Sequence, residues 1–367
     1  MIMAFHHDVK SLILIFLFLT GCNNSGVSLT KIQTETPQTT PTPEPEPNPM
    51  PETPLEEPSQ NPIDQVCGPL QFDDVSWPKE MTENEKAEFA IALNITGSFE
   101  GKAGWKNLAG NFDGQGISLG LMQQNLGQGT LQPLWVEMFS SHYDVMKSRF
   151  SSLQIQSMEQ MLNDWQTIKV KKSSATELFP KNVDFNSLEA NFNEKVAELG
   201  ANENKESVKW AQKTALDSKG QVLSSWSTPL QSMAESSSYR SLQIQASLGY
   251  FEKAQQYFRA FEFTQLRHLL LMYDFVIQNG SIGENHLKIY QVWLNQNPRA
   301  DEEARAFALL EARLTTVKDQ YKEDVKARKS TIIRGTGVVH KQNRNLPKEF
   351  CFNPKLIVDT TQQSVFF

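Results

Sequence analysis

Residues 266–278 read LRHLLLMYDFVIQ, a run that leaves almost no polar face when wound into a helix. Such a helix is stable only with other elements packed on all sides of it. The surrounding sequence supplies them. Glu189 to Leu199, Glu206 to Leu216 and Ser241 to Phe261 are amphipathic and lack proline. Gly283 to Gln296 and Asp301 to Lys329 continue the pattern, the second as one long helix rich in Glu and Arg. Asn279-Gly280 suits the C-cap of the central helix. Near the start, Thr82 and Glu85 make a capping box ahead of Phe89, Ala92, Leu93 and Ile95, which recur near helical spacing. This first helix is expected to end around Gly97, with Glu100 in its last turn or just beyond. Gly101 to Gly116 is glycine-rich and polar, and reads as a loop with a short β-hairpin. Leu119 to Val136 reads as a second helical region broken by Gly127 and Gly129. Residues 173–185 and 217–230 read as connecting loops, and no internal repeat is visible. The expected class is mainly α (α+β), with one small β element.

The fold does not begin at Met1. Lys10 precedes a short apolar core, Ser11 to Leu19, which is too short to span a bilayer comfortably and has the length of a signal-peptide core. It ends in Leu19-Thr20-Gly21-Cys22, which resembles a bacterial lipobox. That resemblance implies removal of residues 1–21 and acylation of Cys22, palmitate-like chains then anchoring the protein to a bilayer. An ordinary secretory signal with a chance cysteine is the other reading. Asn23 follows Cys22 in place of the aspartate associated with inner-membrane retention. The outer membrane, on its periplasmic or surface face, is therefore the expected location in a cell that has one. Ten prolines then fall between Pro37 and Pro62 with no aromatic residue among them. Such a segment buries no core and favours polyproline II, so residues 22–62 are expected to be a disordered tether. The 26 residues from Pro37 would reach roughly 80 Å when stretched.

The folded part is thus 63–367, long enough for a large core in one domain. Residues 22–62 hold six glutamates and one lysine, and residues 1–21 balance Asp8 against Lys10. The whole-chain −7 therefore leaves about −2 on the folded part, which argues against a nucleic-acid partner. Its two cysteines, Cys67 and Cys351, sit near its ends, and in an exported chain they suggest a disulfide, two separate buried thiols being the alternative.

One stretch concentrates chemistry. Thr96-Gly97-Ser98-Phe99-Glu100 puts a carboxyl at the end of the first helix. Asn111-Phe112-Asp113-Gly114-Gln115-Gly116-Ile117-Ser118-Leu119-Gly120 puts a second in a glycine-rich turn, with the Ser118 hydroxyl five residues further on. Phe99 and Trp105 would give Glu100 an apolar wall and raise its pKa, as a general acid requires. The glycines allow positive φ and hold Asp113 in a tight turn. Taken singly, a solvated helix-end Glu and an Asp-Gly turn are commonplace. Further acidic ligands for a calcium loop are missing, and the Gly114, Gly116, Gly120 spacing is no dinucleotide fingerprint. Neither a metal cluster nor a Ser-His-Asp arrangement nor a P-loop is apparent, and no cofactor is expected. Gln123, Gln124, Asn125 and Gln128 cluster behind the turn, and their amides suit sugar hydroxyls. Asp274 stands in the apolar helix and needs a partner, for which Arg334 is the expected residue, and His340 is a further candidate contact.

The glutamate followed by Asp-Gly-x-Gly-x-[Ser/Thr], a glycine and an apolar run is similar to glycoside hydrolase family 46 chitosanases, and more distantly to the lysozyme superfamily. Leu271 to Gly280 resembles the family's central-helix segment. Arg328 to His340, with Thr331, Arg334, Gly335 and Gly337, resembles a C-terminal element of bacterial lysozyme-like proteins. The likeness touches most of residues 80–340, only the first motif being specific and 140–240 weak. It implies a two-lobed helical domain with a small β element beside the cleft. It also implies cleavage of β-1,4 bonds between amino sugars, with Glu100 as general acid, Asp113 as general base and Ser118 holding the water. Gln123, Asn125, Asp274, Arg334 and His340 are the candidate substrate contacts. The inverting route requires a carboxyl gap of roughly 6.5–9.5 Å, the retaining route about 5–5.5 Å. The closest family implies chitosan, the tether implies peptidoglycan, and the near-neutral domain favours peptidoglycan over a polycation. A non-catalytic wall-binding lipoprotein on the same scaffold, and a lytic transglycosylase using one glutamate, are the competing readings. A monomer is expected.

Overall fold

The computed structural model describes residues 62–101, 103–177, 204–279 and 282–359, all within one compact unit, Asn61–Phe367. Cys22, the tether and the expected helix Glu189 to Leu199 lie outside the described residues, as does Gly280 of the expected C-cap. The unit is mainly helical with small antiparallel sheets. Among the described residues, no helix is long and apolar enough to cross a membrane.

Helix α1 spans Glu83–Glu100. The capping box forms as expected: the Thr82 hydroxyl accepts from the Glu85 amide at 3.2 Å, and the Glu85 carboxylate accepts from the Thr82 amide at 2.9 Å. The helix runs three residues past Gly97, so Glu100 is its last residue. A single-turn 3-10 helix, Gly104–Lys106, leads into strand β1 (Leu108–Ala109). Strand β1 pairs antiparallel with β2 (Ser118–Leu119), and β2 with β3 (Gln124–Asn125). The expected helical region from Leu119 is therefore strand and turn as far as residue 131, and helix α2 begins only at Gln132 (Gln132–Ser141). The reason is local. Gly120 and Gln123 hold positive φ, and the Leu121 amide donates to the side-chain oxygen of Gln243 at 2.7 Å, so this backbone is satisfied outside a helix.

Helices α3 (Tyr143–Arg149), α4 (Ser152–Glu177) and α5 (residues 204–214) follow. The first residues of the expected 173–185 loop are thus helical. The second expected loop, 217–230, is only a turn closed by the Leu216–Val222 bridge, after which α6 (Ser224–Ala234) starts and carries Pro229 inside it. A core gathers under the three-stranded sheet, where Ile117, Leu119 and Leu126 meet Trp135, Met138, Met158, Trp226 and Tyr239.

Helix α7 (Ser237–Ala260) then packs along α8 (Leu266–Asn279). The expectation of a buried central helix holds: Leu269, Leu270, Leu271, Met272, Tyr273 and Phe275 are all buried. Phe89 of α1 stacks on Phe251 of α7 with centroids 4.5 Å apart, and Tyr273 meets it edge-on at 5.8 Å. Helix α9 spans Glu284–Gln296. The long helix expected over 301–329 is instead two, α10 (Glu302–Leu314) and α11 (Asp319–Arg334). The break falls at Thr315-Thr316-Val317, three β-branched residues in a row. The two threonine hydroxyls donate back to the carbonyls of Ala312 (2.7 Å) and Arg313 (3.3 Å) and compete with the helical ladder. After α11 come a hairpin of β4 (Thr336–Val339) and β5 (Gln342–Asn345) and the short α12 (Leu346–Glu349). The expected disulfide, Cys67–Cys351, is present.

Candidate active site

Glu100 ends α1 at the point where Gly101, in extended backbone, turns the chain away. Its side chain is 25 % exposed, and Oε1 accepts from Arg328 Nη1 at 2.7 Å. Arg328 comes from the middle of α11 and is buried. The same guanidinium donates through Nε to Asp274 Oδ1 at 2.9 Å, and Lys329 Nζ donates to Asp274 Oδ2 at 2.7 Å and to Gln278 Oε1 at 2.6 Å. Thr96, one turn before Glu100, donates to Asp274 Oδ1 at 3.3 Å. Two carboxylates and two cations thus meet where α1, α8 and α11 converge, and their charges cancel.

Burial pushes the Asp274 carboxyl upward, but the charges of Arg328 and Lys329 and their hydrogen bonds outweigh it and hold it down at about 2. Burial drives Lys329 the other way, down to about 8, with Asp274 only partly opposing. For Arg328, burial is outweighed by Asp274 and then Glu100, so its guanidinium is held above its ordinary value.

One sequence expectation is corrected here. Asp274 pairs with Arg328 and Lys329, not Arg334. On a helix of 3.6 residues per turn, Arg334 lies about two-thirds of a turn round from Arg328, so it points elsewhere and sits over the Phe307 ring at 4.8 Å. Phe99 and Trp105, the expected apolar wall of Glu100, are both engaged with other groups. Phe99 carries guanidinium groups over its ring, Arg328 at 4.7 Å and Arg344 at 5.0 Å. Trp105 meets Phe72 edge-on and donates to the Gln71 carbonyl at 3.2 Å.

Asp113 sits half-buried in the turn before β2. The turn is fixed by its own side chains: Asp113 Oδ1 accepts from the Gln115 amide at 3.0 Å, and Asn111 Oδ1 from the Gly116 amide at 2.7 Å. Gly114 and Gly116 take the positive φ that their spacing predicts, 82° and 79°. The turn rests on a second one, since the Asn111 amide donates to the Gly220 carbonyl at 2.8 Å. Ser118 follows at the head of β2 and is 2 % exposed, between Ala109 of β1 and Asn125 of β3. No hydrogen bond or ion pair joins Glu100 to Asp113 directly. They are connected through the chain 101–107, whose Asn107 accepts from the Ala103 amide at 3.0 Å and, by its carbonyl, from the Gly120 amide at 2.8 Å.

The amides expected to meet sugar hydroxyls are mostly occupied at home. Gln123 donates to the Gly120 carbonyl at 2.9 Å. Asn125 donates to Gln128 Oε1 at 3.0 Å and accepts from the Gln128 amide at 2.8 Å. They lock the bend after β2, a role set by short-range spacing. His340 lies at the β4–β5 turn, exposed, with Nε2 at 2.8 Å from Asp324 Oδ1. Arg328 and Lys329 are the residues the sequence reading passed over. The available signal was an adjacent Arg-Lys pair within α11 near a lone acid in an apolar helix, but pairing them requires the phase of one helix against another. Among the described residues, no group of three or more His, Cys, Asp or Glu is placed to hold a metal ion.

Compared with known proteins, the chain matches no family model and no curated protein.

Proposed function

We propose that the protein is a glycoside hydrolase with a lysozyme-like, chitosanase-like architecture, cutting β-1,4 bonds in an amino-sugar polymer. The observation that carries this reading is the partly exposed Glu100 held at one oxygen by Arg328, which is itself fixed by buried Asp274. Catalysis by positioned acids depends on such preorganisation. Glu100 Oε2 has no partner among the described residues, and this oxygen delivers the proton to the bridging sugar oxygen once substrate draws the carboxyl off Arg328, whose charge otherwise favours the ionised form. Asp113 Oδ2 likewise has no partner among the described residues, while Oδ1 accepts from its own turn. It takes a proton from the attacking water, which the Ser118 hydroxyl would help to hold, and the anomeric configuration inverts.

The preferred substrate is peptidoglycan. A near-neutral domain, about −2, offers a polycation such as chitosan little attraction, and an acylated Cys22 with a long tether would keep the enzyme against the wall. The test is digestion of purified sacculi and of chitosan by the full-length protein, with reducing ends counted and released ends identified by mass spectrometry. Cleavage of sacculi that vanishes in Glu100→Gln and in Asp113→Asn, both folded, is the expected result. Activity on chitosan alone overturns the substrate assignment. Full activity of Asp113→Asn points to a one-acid transglycosylase, and sacculus binding without cleavage points to a wall-binding lipoprotein.

A further inference from the structure

A pocket of mixed polar and apolar lining lies on a different flank of α1. Its volume is about 260 Å³, and neither Glu100, Asp113 nor Ser118 lines it. This is just under the roughly 300–1,000 Å³ of pockets for drug-sized ligands, so it suits one ring and not a chain. Leu70 gives it an apolar wall, Asn94, Gly97 and Ser98 form the α1 side with Gly104 of the 3-10 helix next to them, and β5 supplies Gln342 and Arg344, with Glu349 beside them.

Its chemistry is that of a neutral polyhydroxylated guest. Arg344 and Glu349 form an ion pair at 2.7 Å, so the pocket carries no net charge to attract an ion. The pair still has capacity for a ligand. Arg344 gives Nε to Glu349 at 2.8 Å and Nη2 to Ser98 Oγ at 3.0 Å, while its Nη1 has no partner among the described residues. Each Glu349 oxygen is held by protein donors, Oε2 by Arg344 and Oε1 by the Asn345 amide at 2.6 Å, and a carboxylate oxygen accepts more than one bond. The Gln342 amide, exposed at the pocket's edge, makes no hydrogen bond within the described residues. A fixed donor, a fixed acceptor and a free amide beside an aliphatic wall match the hydroxyls and C–H face of a pyranose.

We propose that this pocket is an accessory sugar site that binds a single neutral, N-acetylated pyranose unit of a glycan, separately from the Glu100–Asp113 centre. The pocket's chemistry selects a neutral sugar, and the choice of an N-acetylated one rests on the function proposed above. The probe is N-acetylglucosamine, titrated into the full-length protein and followed by saturation-transfer NMR, with acetate as an anionic control. Binding should weaken about tenfold in Gln342→Trp, which fills the mouth, and less in Gln342→Ala, which removes the amide; a tenfold loss corresponds to about 1.4 kcal/mol. Gln342 is exposed, so both variants should fold. Glu100→Gln should bind N-acetylglucosamine as the parent does while losing cleavage of sacculi. Equal binding by the parent and both Gln342 variants, no binding by the parent, or preference for acetate overturns the proposal. A parent that cleaves neither polymer yet loses sugar binding in Gln342→Trp sinks the hydrolase reading and leaves the pocket standing.

Discussion

Arg328 has a task no lysine could perform, since one planar guanidinium serves a buried acid and a partly exposed one at once. Arg328→Lys keeps the charge but cannot span both carboxylates, and Arg328→Met leaves Asp274 with the Lys329 cation and the Thr96 hydroxyl. Breaking a buried pair from one side costs about 3–5 kcal/mol. Urea unfolding should therefore rank the parent above Arg328→Lys and Arg328→Met lowest; an unchanged midpoint in Arg328→Met would show the cluster to be dispensable. A second buried acid behaves oppositely. Glu88, in the first half of α1, is buried with Oε2 unpartnered. Burial, followed by the like charges of Glu85 and Asp359, raises its carboxyl from 4.5 to about 8. The folded chain then holds this proton more tightly than the unfolded chain does. Its contribution to stability is complete below about 4.5 and is lost as pH rises through about 8. Glu88→Gln keeps the shape without the charge. It should match the parent at pH 4.5 and exceed it by about 1–3 kcal/mol at pH 9. Parallel stability curves for the two proteins would refute this.

At the scale of elements, the turn bearing Asp113 is held from behind by close backbone contact. A Cβ added to Gly110 would lie 2.0 Å from the Gly220 carbonyl oxygen, and backbone on both sides has no room to yield. Gly110→Ala should cost about 1–3 kcal/mol and loosen the Asp113 turn. Gly97→Ala provides the contrast: its Cβ would meet Leu121 Cδ1 at 2.3 Å, the movable end of a side chain. Replacing a mid-helix glycine also recovers up to about 1 kcal/mol of helix propensity. Thermal unfolding should therefore show Gly110→Ala clearly below Gly97→Ala, and the reverse order would contradict the docking of the two turns. Elements whose signals are local were legible in the sequence. The capping box at Thr82 needs only four residues, the burial of α8 needs only its own apolar run, and the Asp113 turn announces itself through glycines. What escaped depends on competition or on phase. Thr315 to Val317 looks helical until its hydroxyls are seen bonding the carbonyls they follow. Leu119 to Val136 looks helical until Gln243, from α7, takes the Leu121 amide. Arg334 and Arg328 are equivalent candidates for Asp274 until α11 is set at a definite rotation against α8.

For the whole molecule, the two ends of the described chain are each tied back onto the fold. Leu70 donates its amide to Asn94 Oδ1 of α1 at 3.1 Å, and near the other end Val358 donates to the Thr264 carbonyl at 2.9 Å, just ahead of α8. Cys67 and Cys351 close this arrangement covalently across 284 residues, so every helix from α1 to α12 lies inside one loop. The chain-entropy argument gives long loops the greatest stabilisation, typically about 2–4 kcal/mol and toward 5 at the limit, by restricting the unfolded chain. The native contacts around each end do not depend on the bond, so reduction should lower stability without dismantling the helices. For a chain of this size the expected loss in Tm is roughly 3–8 °C. Calorimetry with and without reductant, paired with the Cys67→Ser/Cys351→Ser double variant, measures it. The double variant should unfold at the temperature of the reduced parent and be indifferent to reductant, with its far-UV circular dichroism unchanged at 25 °C. A double variant as stable as the oxidised parent would mean that the contacts of Leu70 and Val358 alone hold the ends of the fold.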